Sequence, residues 1–204
     1  MLTSGIAAAA QAAPTPSPSP TVVPTPTAMP TTVPVGVPTP YLRPNAKYRF
    51  RHFVDDLTGL TAWGGLLGGA AISTATNEPE EWGGTWEGFG KRVASNFGKN
   101  VIRSTVTYGL DEALKLDSHF YKSEKRTVGA RIKNALISPV TARKANGKRT
   151  IGIPKIVGAY SANLIAYDLW YPARYDWKDG MRNGSISIAA NAAYNLVKEF
   201  IFKK

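Results

Sequence analysis

The residues best placed for acid–base chemistry lie together in one short segment. Asp117 and His119 are two positions apart, and Tyr121 follows them. A carboxylate beside an imidazole can act as a general base in hydrolysis if the two side chains reach each other. Asp117 and His119 are therefore the catalytic candidates of this sequence. The alternative is that these three side chains only hydrogen-bond within a loop that joins two helices.

Other signatures of catalysis are missing from the sequence. It has two histidines and no cysteine. It contains no H-E-x-x-H zinc motif, no G-x-S-x-G nucleophile motif and no glycine-rich nucleotide-binding loop. A metal site needs three or four ligands, and the segment around His119 does not supply them. We therefore expect no metal and no cofactor, and the sequence favours a protein that is not an enzyme.

The distribution of charge indicates a second kind of chemistry, the binding of anions. The chain has 25 Lys and Arg against 14 Asp and Glu, a net charge of +11, and no charged residue precedes Arg43. Ten basic residues between positions 122 and 155 are opposed only by Glu124. They are Lys122, Lys125, Arg126, Arg131, Lys133, Arg143, Lys144, Lys148, Arg149 and Lys155. Such a basic end attracts anionic lipid or an anionic envelope polymer, although a solvated face is the alternative. Nucleic acid is disfavoured because no binding motif accompanies the charge.

Three parts with different compositions follow one another along the chain. Residues 1–13 are small and apolar and end in Ala10-Gln11-Ala12, the pattern of a secretory signal's cleavage site, although the positive start of a signal is missing. An alanine-rich disordered start is the alternative. Residues 14–42 are rich in Pro, Thr and Ser, which predicts a disordered, extended linker. Residues 43–204 are long enough for one folded domain. The order predicts export to the bacterial cell envelope, in the periplasm or at the outer membrane.

The domain is expected to be all-α, with about five helices and one small β-hairpin. The run 57–77 is uncharged and about as long as a membrane-spanning helix, but its five glycines weaken that reading. Asp55 and Asp56 precede it, where acidic residues favour a helix start. The next helix should cover residues 85–114, with an apolar stripe that begins at Trp86 and with Arg92 and Arg103 facing away. Asn146-Gly147 predicts a hairpin within 138–153.

Small residues at four-residue spacing recur in the predicted helices. This spacing lets a neighbouring backbone approach closely, either within the chain or between chains in a homo-oligomer. The packing positions are Gly64, Gly65, Gly68, Gly69, Gly90, Ala94, Gly98, Gly158, Ala162 and Ala166.

Several short motifs resemble those of a known group of proteins. They are Asp55 to Gly65, Glu81-Trp82-Gly83, Gly90-Lys91-Arg92, Asp117 to Tyr121, Tyr171-Pro172 and Asn195 to Phe200. Together, over residues 53–200, they resemble an uncharacterised family of exported proteins common in Acidobacteria and their relatives. The resemblance implies a bacterial envelope location and a mainly helical domain. Many members have Arg where this chain has His119, and the family has no assigned activity.

The sequence as a whole predicts a non-enzymatic cell-envelope protein. It would be peripheral or partly membrane-inserted and would bind an anionic surface through its basic end. A hydrolase of an envelope polymer, using Asp117 and His119, is one alternative. A membrane protein that self-associates through the glycine-rich helix is the other.

Overall fold

The computed structural model describes residues 41–125 and 127–201. They form six α-helices and a small sheet, so the expected helical domain with one hairpin is confirmed. The helices are α1 (Ala46–Thr58), α2 (Leu60–Ala75), α3 (Trp86–Leu114), α4 (Val128–Ile137), α5 (Ile153–Leu169) and α6 (Trp177–Phe200), and the strands are β1 (Leu116–Asp117), β2 (Thr141–Lys144) and β3 (Arg149–Ile151). The suggested signal remnant and the linker up to residue 40 lie outside the described residues.

A sharp break at Gly59 separates α1 from α2. Asn45 starts α1 by accepting a hydrogen bond from the Tyr48 N–H at 2.8 Å. Gly59 is extended, and a Cβ there would lie 2.4 Å from the Asp55 carbonyl oxygen, so only glycine permits this close turn. The uncharged run 57–77 is therefore two elements. Asp55 and Asp56 lie in the last turn of α1, which corrects the expectation that they start a helix.

In the part of the chain that the structure describes, no helix combines the length and the hydropathy needed to cross a membrane.

The long helix α3 organises the domain. It packs against α5 on one side and against α1 and α2 on the other, while α6 packs on α5 and α4 packs on α6. At the C-terminal end of α3 the chain enters a three-stranded antiparallel sheet in the order β1-β2-β3. The β2–β3 turn contains Gly147 at φ +79°, a backbone conformation that glycine tolerates. This confirms the predicted hairpin.

The interior of the domain is built from small and polar side chains. Most of its fully buried apolar residues are alanines, and the largest fully buried side chains include Arg92 and Glu199. On α3 the sequence assigned the buried face wrongly, because Trp86 is 86% exposed and Arg92 is 2% exposed. Arg92 is buried because main-chain carbonyl groups of residues 78, 79 and 83 accept its hydrogen bonds.

The small residues predicted to pack helices together fall into two groups. Gly158 is buried on α5 against α3, and Ala162 and Ala166 are buried on the same helix. Gly98 lies under the Trp170 ring, and Gly69 lies near the Asn96 side chain. The remainder have open space beside them or are exposed within the described chain: Gly64, Gly65, Gly68, Gly90 and Ala94.

The contact between α3 and α5 yields a stability prediction. A Cβ at Gly158 would lie 2.4 Å from Thr107 Oγ1 and 2.9 Å from the Arg103 carbonyl oxygen. We expect Gly158→Ala to lower the free energy of unfolding by about 1–3 kcal/mol, because the two helices must separate. The matched control is Gly64→Ala, where the space is open and alanine favours the helix by roughly 1 kcal/mol. Urea denaturation measures both, and equal stability of Gly158→Ala and wild type would disprove the close contact.

Candidate functional site

A large cleft with both apolar and polar walls lies between the helices of the domain. Its volume is about 660 Å³, and its walls come from α1 and α2 on one side and from α5, α6 and the loop after β1 on the other. Its floor is one face of α3, which presents polar side chains at helical spacing. These are Asn96, Asn100, Arg103, Thr107 and Asp111. The volume lies within the range of small-molecule sites.

Asp117, one of the catalytic candidates, is held by neutral donors at one end of this cleft. Its carboxylate accepts hydrogen bonds from the Tyr41 hydroxyl, from the Tyr121 hydroxyl at 2.7 Å and from the His119 backbone N–H at 2.9 Å. The Arg143 guanidinium lies 5.2 and 4.9 Å from the centres of the two tyrosine rings. Burial, followed by the hydrogen bond to Asp117, raises the pKa of both tyrosines. The carboxylate thus organises the loop and the start of the domain.

His119, the other catalytic candidate, turns its ring into the cleft. The ring lies 4.3 Å from the ring of His52 on α1, measured between centroids, and 5.3 Å from that of Tyr121. Its link to Asp117 runs through the backbone, and the imidazole has no hydrogen bond to a carboxylate among the described residues. Burial lowers the pKa of His119 to about 4, with a smaller contribution from His52. The ring is therefore neutral at pH 7 and has no carboxylate to orient it as a base.

The lowered pKa of His119 predicts how stability changes with pH. An unfolded histidine titrates near pH 6.5, so the unfolded chain gains a proton before the folded one does. His119 therefore contributes stability above pH 6.5 that is lost as the pH falls towards 4. Replacing His119 by Gln should reduce the pH dependence of the free energy of unfolding by up to about 1.4 kcal/mol per pH unit between pH 6.5 and 4. Unfolding free energies measured between pH 7 and 4 test this, and parallel curves for the two proteins would contradict it.

The contribution of Asp111 to stability changes with pH in the opposite direction to that of His119. Burial raises the pKa of its carboxyl to about 6, although Ser118 donates two hydrogen bonds to it. Its contribution to stability is present at low pH and is lost as the pH rises through 6. The free energy of unfolding of Asp111→Asn, relative to wild type, should therefore increase as the pH rises from 4 to 7. That of His119→Gln should increase as the pH falls.

The middle of the cleft brings together charges from three helices. Arg103 of α3 donates a hydrogen bond to Asn191 Oδ1 of α6 at 2.9 Å. Burial lowers the pKa of Arg103, and the nearby Asp56 of α1 opposes this. Burial raises the pKa of Asp56, opposed by the positive charges of Lys198 and Arg103. Asp56 is exposed to solvent and lines the cleft. These residues form a polar centre with both signs of charge.

Lys155, one of the ten basic-end residues, faces the cleft instead of the outer surface. Its ammonium group donates to the carbonyl oxygens of Ser138 at 2.7 Å and Thr141 at 3.1 Å. Burial lowers its pKa to about 8, and the negative charge of Asp111 opposes this. Lys155 therefore joins α5 to the start of β2.

The other basic-end residues are either partnered within the domain or exposed, and Arg149 is both. Arg131 pairs with Glu199 at 3.3 Å, and Arg143 lies over the two tyrosine rings. Arg149 donates to Asn134 Oδ1, and Lys122 also has a partner. Arg126 lies outside the described residues. Five side chains remain exposed on α4, the segment before it and the hairpin: Lys125, Lys133, Lys144, Lys148 and Arg149.

Sequence reasoning found the loop of the site but missed the residues that complete it. Tyr41 and His52 precede Asp117 by more than 60 positions, and their contacts depend on how α1 folds against α3. One signal marks Tyr41, which is the first aromatic residue of the chain after 40 residues without one. The polar lining of α6, including Asn191 and Asn195, carried no such signal.

Among the described residues no group of three His, Asp or Glu side chains is placed to hold a metal ion. The domain is thus a helical protein with a polar cleft and a basic surface. Comparison with known protein families, with curated proteins and with solved structures finds no match in any of the three.

Proposed function

We propose that this chain is a non-enzymatic protein of the bacterial cell envelope that attaches peripherally to an anionic membrane surface. The observation that carries the proposal is an exposed row of apolar side chains beside exposed basic ones. On α4 and just after it, Val128, Ile132, Leu136 and Val140 recur every four residues and are all exposed. An α-helix places residues at this spacing on one face, and Val128, Ile132 and Leu136 lie on α4, whereas Val140 ends the short 3-10 turn that follows it.

The surrounding side chains give this face the composition of a membrane-binding surface. We call the whole set the basic-apolar surface, and it includes the exposed Ile151 and Ile153 beside the hairpin. Its members are Lys125, Val128, Ile132, Lys133, Leu136, Val140, Lys144, Lys148, Arg149, Ile151 and Ile153. Apolar side chains that enter the head-group region and lysines that meet anionic lipid add their contributions to binding.

The envelope location rests on the N-terminal sequence and on the resemblance to exported proteins. An N-terminal stretch that ends in a cleavage-like Ala10-Gln11-Ala12 supports export. In this proposal the linker up to residue 40 supplies reach between an anchoring point and the domain.

The hydrolase alternative has less support from the geometry. The His119 imidazole and the Asp117 carboxylate do not hydrogen-bond to each other, and two tyrosines occupy that carboxylate. Self-association through Gly64 and Gly68 stays a prediction, and it is one outcome of the tests below.

Binding to vesicles tests the attachment. The full chain should co-sediment with phosphatidylcholine vesicles that contain phosphatidylglycerol, but not with phosphatidylcholine alone, and high salt should weaken the binding. Lys133→Glu with Lys148→Glu should reduce affinity by about fivefold or more per residue, since each lysine contributes about 1 kcal/mol. Ile132→Ser with Leu136→Ser should weaken binding at every salt concentration.

The matched control reverses two exposed charges far from the basic-apolar surface. Lys178 and Arg182 lie near the start of α6, and Arg182 is about 25 Å along the helix from Glu199, which contacts α4. Lys178→Glu with Arg182→Glu should bind vesicles like wild type. Equal loss in both pairs would overturn the proposal. The proposal would also be overturned if the chain did not bind vesicles but dimerised, or if it did not bind vesicles but bound an anionic polysaccharide.

A further inference from the structure

Several polar side chains of the cleft are directed into it without a protein partner. Asn195 is only 7% exposed, yet its amide makes no hydrogen bond to any described residue. The Lys198 ammonium lies 4.7 Å from the centre of the Tyr194 ring and has no carboxylate within 4.0 Å in the described part of the chain. No buried side-chain nitrogen or oxygen of the described residues lacks a hydrogen-bond partner, so the Asn195 amide atoms keep access to the open space of the cleft, where a ligand can reach them. These groups therefore point to a ligand.

The charge balance of the cleft favours an anion. Arg49 is already neutralised by Glu112, which accepts two hydrogen bonds at 2.5 and 2.7 Å. The remaining lining cations are Lys99, Arg103, Lys155 and Lys198, and the remaining carboxylates are Asp56, Asp111 and Asp117. Asp117 accepts hydrogen bonds from three neutral donors and lies at one end of the cleft. Lys99 and Lys155 already donate to protein oxygens, so Arg103 and Lys198 are the cations left to receive a ligand's charge.

Three side chains of the cleft keep hydrogen-bonding capacity for a ligand that carries both an anionic group and hydroxyls. Arg103 uses one N–H on Asn191 and keeps other donors for an oxyanion, which its planar fork can bind bidentately. The Asn195 amide both donates and accepts, as a hydroxyl partner requires. The carboxylate of Asp56 makes no side-chain hydrogen bond in the described residues and can accept one.

From these placements we propose that the cleft binds a small hydroxylated organic anion, with its charged group on Arg103 and Lys198 and its hydroxyls on Asn195 and Asp56. Glycerol phosphate has this chemistry, either free or as the head group of a phospholipid. The cleft is lined by α1, α2, α3, α5 and α6 and takes no residue from the exposed basic-apolar surface. The proposal is therefore independent of the proposed attachment.

Calorimetric titration of the full chain tests the site. We expect sn-glycerol 3-phosphate to bind, and both glycerol and inorganic phosphate to bind at least about tenfold more weakly, because each lacks half of the recognised groups. Short-chain phosphatidylglycerol below its micelle concentration separates the two sources. Tighter binding of this lipid than of glycerol phosphate assigns the site to a head group, and weaker binding assigns it to the free anion.

Variants make the test specific to the cleft. Lys198→Met should lower the affinity for glycerol phosphate at least about tenfold, since a charge-assisted hydrogen bond is lost. Asn195→Asp, which keeps the shape but adds a negative charge, should do the same. Lys91→Met on the exposed start of α3 is the control and should bind like wild type. The proposal is overturned if wild type binds no glycerol phosphate, if glycerol binds equally well, or if folded Lys198→Met binds unchanged.

Discussion

Replacing Arg92 by Met should destabilise the domain by about 3–5 kcal/mol, one of the two largest effects expected of any single change. The Arg92 guanidinium donates to the carbonyl oxygens of Glu78 at 2.9 Å, Gly83 at 2.6 Å and Pro79 at 2.8 Å. It also lies 3.4 Å from Asn77 Oδ1. Methionine fills part of the volume but leaves one buried and two partly buried carbonyl groups without donors, and each such loss is unfavourable by about 1–3 kcal/mol.

The loss would be visible in the melting temperature. A folded domain of this size has a total stability of roughly 5–15 kcal/mol, so the variant should melt about 10 °C or more below wild type. Lysine should rescue only part of the loss, because it lacks the planar fork that reaches several carbonyls at once. Arg51→Met is the control, since Arg51 is exposed and makes no hydrogen bond among the described residues. A melting curve for Arg92→Met like that of Arg51→Met would show that the buried fork is unimportant.

Glu199→Gln should destabilise the domain by about 3 kcal/mol, although the shape of the side chain is kept. The Glu199 carboxylate is 2% exposed and accepts from the Ser123 N–H at 3.0 Å and from Asn134 Nδ2 at 3.3 Å. It forms an ion pair with Arg131 at 3.3 Å, and Arg131 also donates to the Glu199 carbonyl oxygen. Glutamine replaces one accepting oxygen by an NH₂ donor that faces the Ser123 and Asn134 donors, and it removes the negative charge paired with the partly exposed Arg131. These contacts fasten α4 to the end of α6.

An exposed ion pair on α3 is the matched control. Glu87 and Lys91 are four residues apart and their charged atoms are 2.7 Å apart, but both side chains are largely exposed. Glu87→Gln should leave the denaturation curve unchanged within error, because solvent screens such pairs. Combining Glu199→Gln with Arg131→Leu should add little to the single change, since both remove the same interaction. Additive losses would mean that the two side chains act independently.

The elements with strong local signals could be predicted from the sequence. The hairpin follows from Asn146-Gly147 and the extent of α3 from its apolar residues at helical spacing, and both are confirmed. The break at Gly59 was missed because a single glycine within a glycine-rich run carries no special signal. Its role depends on the approach of a Cβ to the Asp55 carbonyl oxygen.

The polar interior could not be predicted by the same reasoning. Hydrophobic periodicity assumes that the apolar face of a helix is buried, yet Trp86 is exposed and Arg92 lies inside. The partners of Arg92 are carbonyl groups of a loop, and those of Glu199 lie up to 76 residues away. A pattern read along one helix does not contain such contacts.

The candidate site, too, could be predicted only in part. Asp117 and His119 were identified by type and spacing, but their link through the backbone and the two tyrosines on Asp117 required the fold. The basic end was predicted as one cluster. Lys155 instead faces the cleft, because the first turn of α5 brings it to the carbonyl groups of Ser138 and Thr141.

The most direct measurement of the proposed attachment is the response of a fluorophore on α4 to anionic vesicles. The chain has no cysteine, so Leu136→Cys and Ile72→Cys each provide one labelling position for an environment-sensitive nitrobenzoxadiazole dye. Both residues are exposed and apolar, but Ile72 lies on α2, away from the basic-apolar surface. We expect vesicles containing phosphatidylglycerol to shift the emission of the dye at position 136 to shorter wavelength and to leave that at position 72 unchanged. An unchanged spectrum at 136, or an equal shift at both positions, would contradict attachment through α4.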